Sequence, residues 1–140
     1  MIVCIDTNVL LQAAKAGHPH HVIFDAWFQR KFRWALSNDI ITEYQELITQ
    51  RSGAHRWAQL NRVFSIAEAN GDLLVKVQPS YRFHIVIADP EDNKFTDCAI
   101  TADAEYVITD DAHFAPLSNA GYKPQPITPV EFIRRHLTGG

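Results

Sequence analysis

Cysteine is scarce in this sequence. Only Cys4 and Cys98 carry a thiol among 140 residues. Both lie in apolar runs, and their spacing builds neither a disulfide framework nor a metal-ligand pair, so both are expected reduced and buried in a cytoplasmic protein. Long hydrophobic stretches are missing too. Met1 leads straight into a strand-like IVCI with no basic leader, so neither a signal peptide nor a membrane span is expected. Nor is there an excess of positive charge: 13 Lys and Arg stand against 16 Asp and Glu, for a formal charge of −3. That balance argues against the broad basic face used in nonspecific phosphate binding. Basic side chains cluster only locally, at Arg30-Lys31-Arg33, at Arg51 with Arg56 and Arg62, and at Arg134-Arg135. A Walker loop, a dinucleotide glycine pattern, a nucleophile elbow and a Ser/His/Asp set are all absent, which removes P-loop NTPases, Rossmann dehydrogenases and α/β-hydrolases from contention.

What is present suffices for a core. At 46% hydrophobic and 11% aromatic, residues 1–140 are expected to form a single domain, and a chain of this length buries roughly 70% of its unfolded surface. Residues 2–5 read as a buried strand, followed by helices over 7–15 and 20–30 with a break at Gly17-His18-Pro19. A strand over 32–36 leads to a helix capped by Ser37, Asn38 or Asp39 that continues to 50. A helical pattern over 52–70 stops at Asn70-Gly71. Strands are expected at 73–77, 84–88, 105–109 and 125–128, with Asp89-Pro90 opening a helix that reaches 102 and a short helix or loop over 112–117. Thr128-Pro129, with Glu131 behind it, starts the last helix. This alternation specifies an α/β fold, a three-layer α/β/α sandwich around a mainly parallel sheet. In such sheets ligands collect beyond the carboxyl ends of the strands.

Acids occupy those places. Asp6 follows IVCI, Glu43 lies early in the helix after FRWAL, Asp92 starts the helix after HIVIA, and Asp110-Asp111 follow EYVIT. One Asp at a helix start is ordinarily a cap favoured by the dipole; four junctions that each deliver a carboxylate to one sheet edge shift the balance toward chemistry. At about 100° per residue, Asp92 falls on the side of Phe95, Cys98, Ala99 and Ala102, whereas Asp97 falls about 200° from Phe95, toward solvent or a partner. Glu43 borders the arc of Ile40, Ile41, Tyr44, Leu47 and Ile48. A shared site of anions is stable only when protons or cations reside in it. All-oxygen ligands suit Mg2+ or Mn2+ rather than Zn2+. A divalent ion held by acids lowers the pKa of an attacking water and neutralises a scissile phosphate, the chemistry of phosphodiester hydrolysis.

Four segments carry a family resemblance: IDTNVLL at 5–11, SNDIITEYQELI at 37–48, DPEDNKFTDCAITADAEYVITDD at 89–111 and ITPVEFI at 127–133. The chain resembles the PIN domain, a Mg2+-dependent ribonuclease fold, and is most similar to its subgroup of VapC-type toxins of toxin–antitoxin pairs. The resemblance implies that the metal-binding, catalytic acids are Asp6, Glu43, Asp92 and Asp111, the third being the acid that helical phase selects. It implies Thr7, Asn8 and Thr109 as supporting polar groups. Asp110 stands where the subgroup usually has Gly, which leaves open whether Asp110 or Asp111 reaches the metal, with Asp111 favoured. Asp97 stands where the subgroup often carries an acid, which implies a secondary role near the site. The implied activity is an endoribonuclease that cuts RNA with one or two Mg2+ or Mn2+ ions and leaves a 5′-phosphate and a 3′-hydroxyl. A small antitoxin protein and homodimerisation are the implied partnerships. The alternatives are a catalytically inactive PIN-fold module that binds RNA or protein, and an aspartyl-phosphate enzyme, ranked low because Asn8 stands where that chemistry needs a second acid.

Asn93 and Lys94, beside Asp92, are candidate contacts to substrate phosphate, and Lys94 is equally a partner for a neighbouring acid. His18, His20 and His21 read as an exposed loop and helix start rather than a metal site, and His113 as a surface or helix-end contact. Phe28 and Trp34 are expected in the core, with Trp27 or Trp57 the better interface candidates.

Overall fold

The computed structural model describes residues 1–80 and 93–138. The strand expected over 84–88 and the opening of the following helix, with Asp89, Glu91 and Asp92, lie outside the described residues. Five strands, β1 (Ile2–Ile5), β2 (Arg33–Leu36), β3 (Leu74–Lys76), β4 (Tyr106–Ile108) and β5 (Gln125–Ile127), form one sheet in the order β3-β2-β1-β4-β5. Every neighbouring pair is parallel. Helices α1 (Thr7–Ala13), α2 (His21–Phe28), α3 (Asn38–Ser52), α4 (Ala54–Asn70), α5 (Asn93–Thr101) and α6 (Pro129–Phe132) cover both sides of it. A 3-10 helix (Ala112–Ala120) precedes β5, and a π-helical turn (Ile133–Leu137) continues α6. The α/β/α class expected from the alternation of elements is the one the chain adopts. No helix among the described residues is long and apolar enough to cross a membrane.

The central strand explains why its sequence is apolar throughout rather than alternating. β1 is covered on both faces, with Val3 and Cys4 fully buried. The edge position of β5 accommodates Pro126, which has no amide to donate to a further strand. Register then does the positioning. Ile5 pairs with Ile108, and the Asp6 amide donates to the Ile108 carbonyl at 3.0 Å, so the next residues of the two strands, Asp6 and Thr109, emerge side by side.

The helix ends follow their local chemistry. Of the three candidate caps for α3, Ser37 takes the role: its hydroxyl accepts from the Ile40 amide at 3.3 Å, a bond whose loss costs about 1 kcal/mol. Gly71 ends α4 with φ 75°, in the left-handed region that a side chain would strain. Thr128 caps α6 by accepting from the Glu131 amide at 3.1 Å, with Pro129 at the first helical position.

One expectation about the core is reversed. Trp27 is fully buried and Phe28 is 47% exposed. The inward face of α2 is Ile23, Phe24, Ala26 and Trp27, and it is fixed from outside the helix. The Trp27 Nε1–H donates to the Leu73 carbonyl at 2.7 Å, and its ring meets those of Trp34 and Phe64 at 5.0 and 6.1 Å. Such an acceptor offsets the cost of burying the indole N–H. Trp57 is also buried, on the inner face of α4 with Leu60, Phe64 and Ala67, so neither tryptophan is an exposed interface residue of this chain. Trp34 is core, as expected.

Candidate active site

Asp6 is the N-cap residue of α1, yet its side chain makes no capping bond. The carboxylate turns instead to β4's end, where the Thr109 hydroxyl donates to Asp6 Oδ2 at 2.8 Å. The same hydroxyl accepts from the Asp111 amide at 2.9 Å, so one side chain ties the first acid to the backbone of the last. Asp6 and Thr109 are both buried. Beneath them, the Tyr44 hydroxyl from α3 donates to the Ile5 carbonyl and holds the backbone immediately before Asp6.

Glu43 reaches the same edge from α3. The Thr7 hydroxyl donates to Glu43 Oε2, and the Lys94 ammonium from α5 donates to Oε1 at 3.0 Å, with the Lys94 and Glu43 side chains only 19% and 17% exposed. Of the two roles open to Lys94, the structure displays the pairing with an acid. Because Ser37 already caps α3, Glu43 is not spent on that helix's start.

Asp111 is half-buried and caps the 3-10 helix, its Oδ1 accepting from the His113 amide at 2.9 Å and lying 3.3 Å from His113 Nδ1. Asp110 is exposed and acts elsewhere: His20 is held below its ordinary pKa by burial first and His18 second, with the Asp110 charge opposing them. Of the two, it is the Asp111 charge that acts on Asp6. Electrostatics record the gathering of charge. Burial pushes the Asp6 carboxyl up from 3.8 to about 6, the Thr109 hydrogen bond opposes the shift, and the charges of Asp111 and Glu43 add to it.

Asp6 thus lies within the field of both Glu43 and Asp111. Asp92 is outside the described residues, directly before Asn93, which is buried at the start of α5. Asp97 corrects the helical-phase expectation. It is buried, not solvent-facing, because α5 is enclosed almost all round, with Asn93, Phe95, Thr96, Cys98 and Ala99 buried as well. A two-sided helical wheel does not apply to such a helix. Asn8 faces outward and its amide oxygen accepts from Arg51 at 3.4 Å, a contact between residues 43 positions apart that no local pattern announces.

As placed, the described residues contain no group of three or more His, Cys, Asp or Glu close enough to hold a metal ion. The chemistry of the edge nevertheless fits a hard cation: every carboxylate and hydroxyl there offers oxygen, and a carboxyl raised by burial and further by two neighbouring anions favours the arrival of positive charge. Part of that demand is met on Glu43 by Lys94.

Residues 2–113 match the model of the PIN domain family. A chain of VapBC2 from Rickettsia felis, in a crystal structure bound to a DNA fragment from their promoter, shares the fold with a TM-score of 0.59 and 12% identity, over 91% of this chain and 98% of that one. No curated protein matches the sequence.

Proposed function

Because this chain belongs to the PIN domain family, we propose that it is a metal-dependent endoribonuclease, the toxin of a toxin–antitoxin pair in the cytoplasm. The observation that carries the reading is the anionic edge, where Asp6 is bonded through Thr109 to the segment bearing Asp111 and its carboxyl is raised first by burial and then by the charges of Asp111 and Glu43. Asp6, Glu43 and Asp111, with Asp92 as the fourth, are the residues that would hold Mg2+ or Mn2+. A divalent ion bound there supplies an acidified water and neutralises charge on the scissile phosphate. The chain's own groups do the rest. Thr109 fixes the Asp6 rotamer, Thr7 and Lys94 fix that of Glu43, and one carboxylate orients water for in-line attack on an RNA phosphodiester.

A small antitoxin is the expected partner, with an Arg placed among the carboxylates as its simplest means of docking, and a homodimer is the expected assembly. The similarity in fold to a chain of VapBC2 supports this partnership. The test is cleavage of a panel of RNAs with Mg2+ by wild type, Asp6→Asn and Asp92→Asn. Both variants are expected to lose cleavage while keeping the fold; full activity in either refutes the assignment. The Lys94–Glu43 pair favours a second reading, an inactive scaffold that binds RNA or protein, since an ammonium already answers one acid. Calorimetry with Mn2+ separates the two, because only the nuclease needs the divalent site.

A further inference from the structure

Beside the acidic edge, an open groove of about 350 Å³ is lined by Asn8, Leu11, Gln12, Lys15, Arg51 and Ser52. Its walls are the outer face of α1, where Asn8 and Gln12 are one turn apart, and the C-terminal end of α3. Both elements also serve the acids, α1 through Asp6 and Thr7 and α3 through Glu43. Asn8 joins the two regions: it follows Thr7, whose hydroxyl holds Glu43, and its own amide oxygen accepts from Arg51. At the far side Gln12 Oε1 lies 3.1 Å from His20 Nδ1.

The charge in this groove is unlike that of the edge it adjoins. Lys15 and Arg51 are exposed cations, and neither is ion-paired with an acid among the described residues. Lys76, Lys123, Arg134 and Arg135 are each paired with a carboxylate, whereas Lys31, Arg33, Arg56 and Arg62 are exposed without such a pair among the described residues. What sets Lys15 and Arg51 apart is that both line one concavity. Two cations without a carboxylate partner in one concavity, on a chain of net charge −3, give that concavity a local positive potential. The donors around them, an amide and a hydroxyl, suit phosphate oxygens and sugar hydroxyls, and half-buried Leu11 offers an apolar floor.

We infer that the groove between α1 and the end of α3 is a phosphate subsite that grips single-stranded RNA beside the cleavage point, with Lys15 and Arg51 clamping its backbone. The inference rests on the ribonuclease reading and adds to it where the strand runs. Since the contacts are to phosphate, they set affinity and register without reading the bases.

The test is fluorescence anisotropy with a labelled single-stranded RNA in Mg2+, on an Asp6→Asn background so that the probe survives. The double variant Lys15→Gln/Arg51→Gln is expected to weaken binding roughly tenfold and to flatten the dependence of log K on log salt by about 1 to 1.5. Arg56→Gln/Arg62→Gln on α4 removes the same charge outside the groove and is expected to change affinity less than about twofold. Thermal melts of each variant establish that these exposed substitutions leave the fold in place. Equal losses from both pairs, no loss from the groove pair, or a groove that takes a poly-glutamate peptide and not RNA each overturn the inference. If wild type binds RNA through Lys15 and Arg51 but never cleaves it, the nuclease reading fails and the subsite stands.

Discussion

Thr109 and Asp6, 103 positions apart in the chain, are joined by a 2.8 Å hydrogen bond from the threonine hydroxyl to the carboxylate. The pairing of Ile5 with Ile108 makes them neighbours, so the central pair of strands sets the geometry of the edge. Thr109→Val keeps the shape and removes the hydroxyl from both Asp6 and the Asp111 amide. The expected cost is about 1–3 kcal/mol in urea unfolding. Because that bond holds the Asp6 pKa down, its loss raises the pKa further, and the acid limb of a pH–rate profile moves to higher pH. An unmoved limb would show that Asp6 does not control it.

The metal-free protein is expected to lose stability on alkalinisation through a defined window. Asp6 is raised from 3.8 to about 6 in the folded state, so the native chain binds its proton more tightly than the unfolded chain does. Its contribution is most favourable below about pH 4 and is lost as pH rises to about 6, by an amount on the order of 3 kcal/mol. Asp6→Asn removes the titration. It is expected to be the more stable protein at pH 7.5 and to show a flatter pH dependence in urea melts. A less stable Asp6→Asn at that pH would contradict the burial argument.

Divalent cations should reverse that loss. Saturating Mn2+ at 100 times its dissociation constant stabilises the fold by about 2.7 kcal/mol, read as a rise in Tm at pH 7.5. Asp6→Asn and Asp111→Asn are expected to abolish the rise, whereas Asp110→Asn, whose charge acts on His20, is expected to keep it. Equal effects from Asp110 and Asp111 would dissolve the distinction.

Lys94→Met leaves the Glu43 carboxylate without its cation. The pair is partly exposed, so the expected destabilisation is only about 1–2 kcal/mol. The more telling readout is Mn2+ affinity by calorimetry, which is expected to rise severalfold because a competing positive charge has left the edge.

Adjacent residues of α2 should behave oppositely. Trp27→Ala is expected to cost about 3–5 kcal/mol, and Phe28→Ala, at an exposed position, less than about 0.5 kcal/mol. Comparable losses would place the core boundary elsewhere.

Much of this fold is written in short-range signals. The βα alternation, the Ser37 and Thr128 caps and the Gly71 stop each depend on neighbours in sequence, and each is legible there. That Asp6 and Asp111, just after β1 and β4, and Glu43, in the second turn of α3, come to one side of the sheet is legible in the same way, since a parallel sheet brings such junctions to one edge. Contacts from distant elements escape it. The face of α2 that turns inward is decided by a carbonyl at Leu73 and rings from Trp34 and Phe64, which no periodicity within the helix reveals. Asp97 misleads for a related reason, because α5 is enclosed on most sides and its polar residues are buried along with the rest. The Lys94–Glu43 and Arg51–Asn8 pairs span 51 and 43 positions, and only the packing of α1, α3 and α5 reveals them.

The ring contacts of the core form a continuous path. Trp27 meets Trp34 at 5.0 Å, Trp34 meets Tyr44 at 6.0 Å, and Tyr44 meets Phe95 at 6.3 Å, while the phenol oxygen of Tyr44 ends on the carbonyl before Asp6. Excitation absorbed at Tyr44 has an indole acceptor almost in contact, so tryptophan emission follows the packing beneath the backbone that carries Asp6, readable without an attached dye.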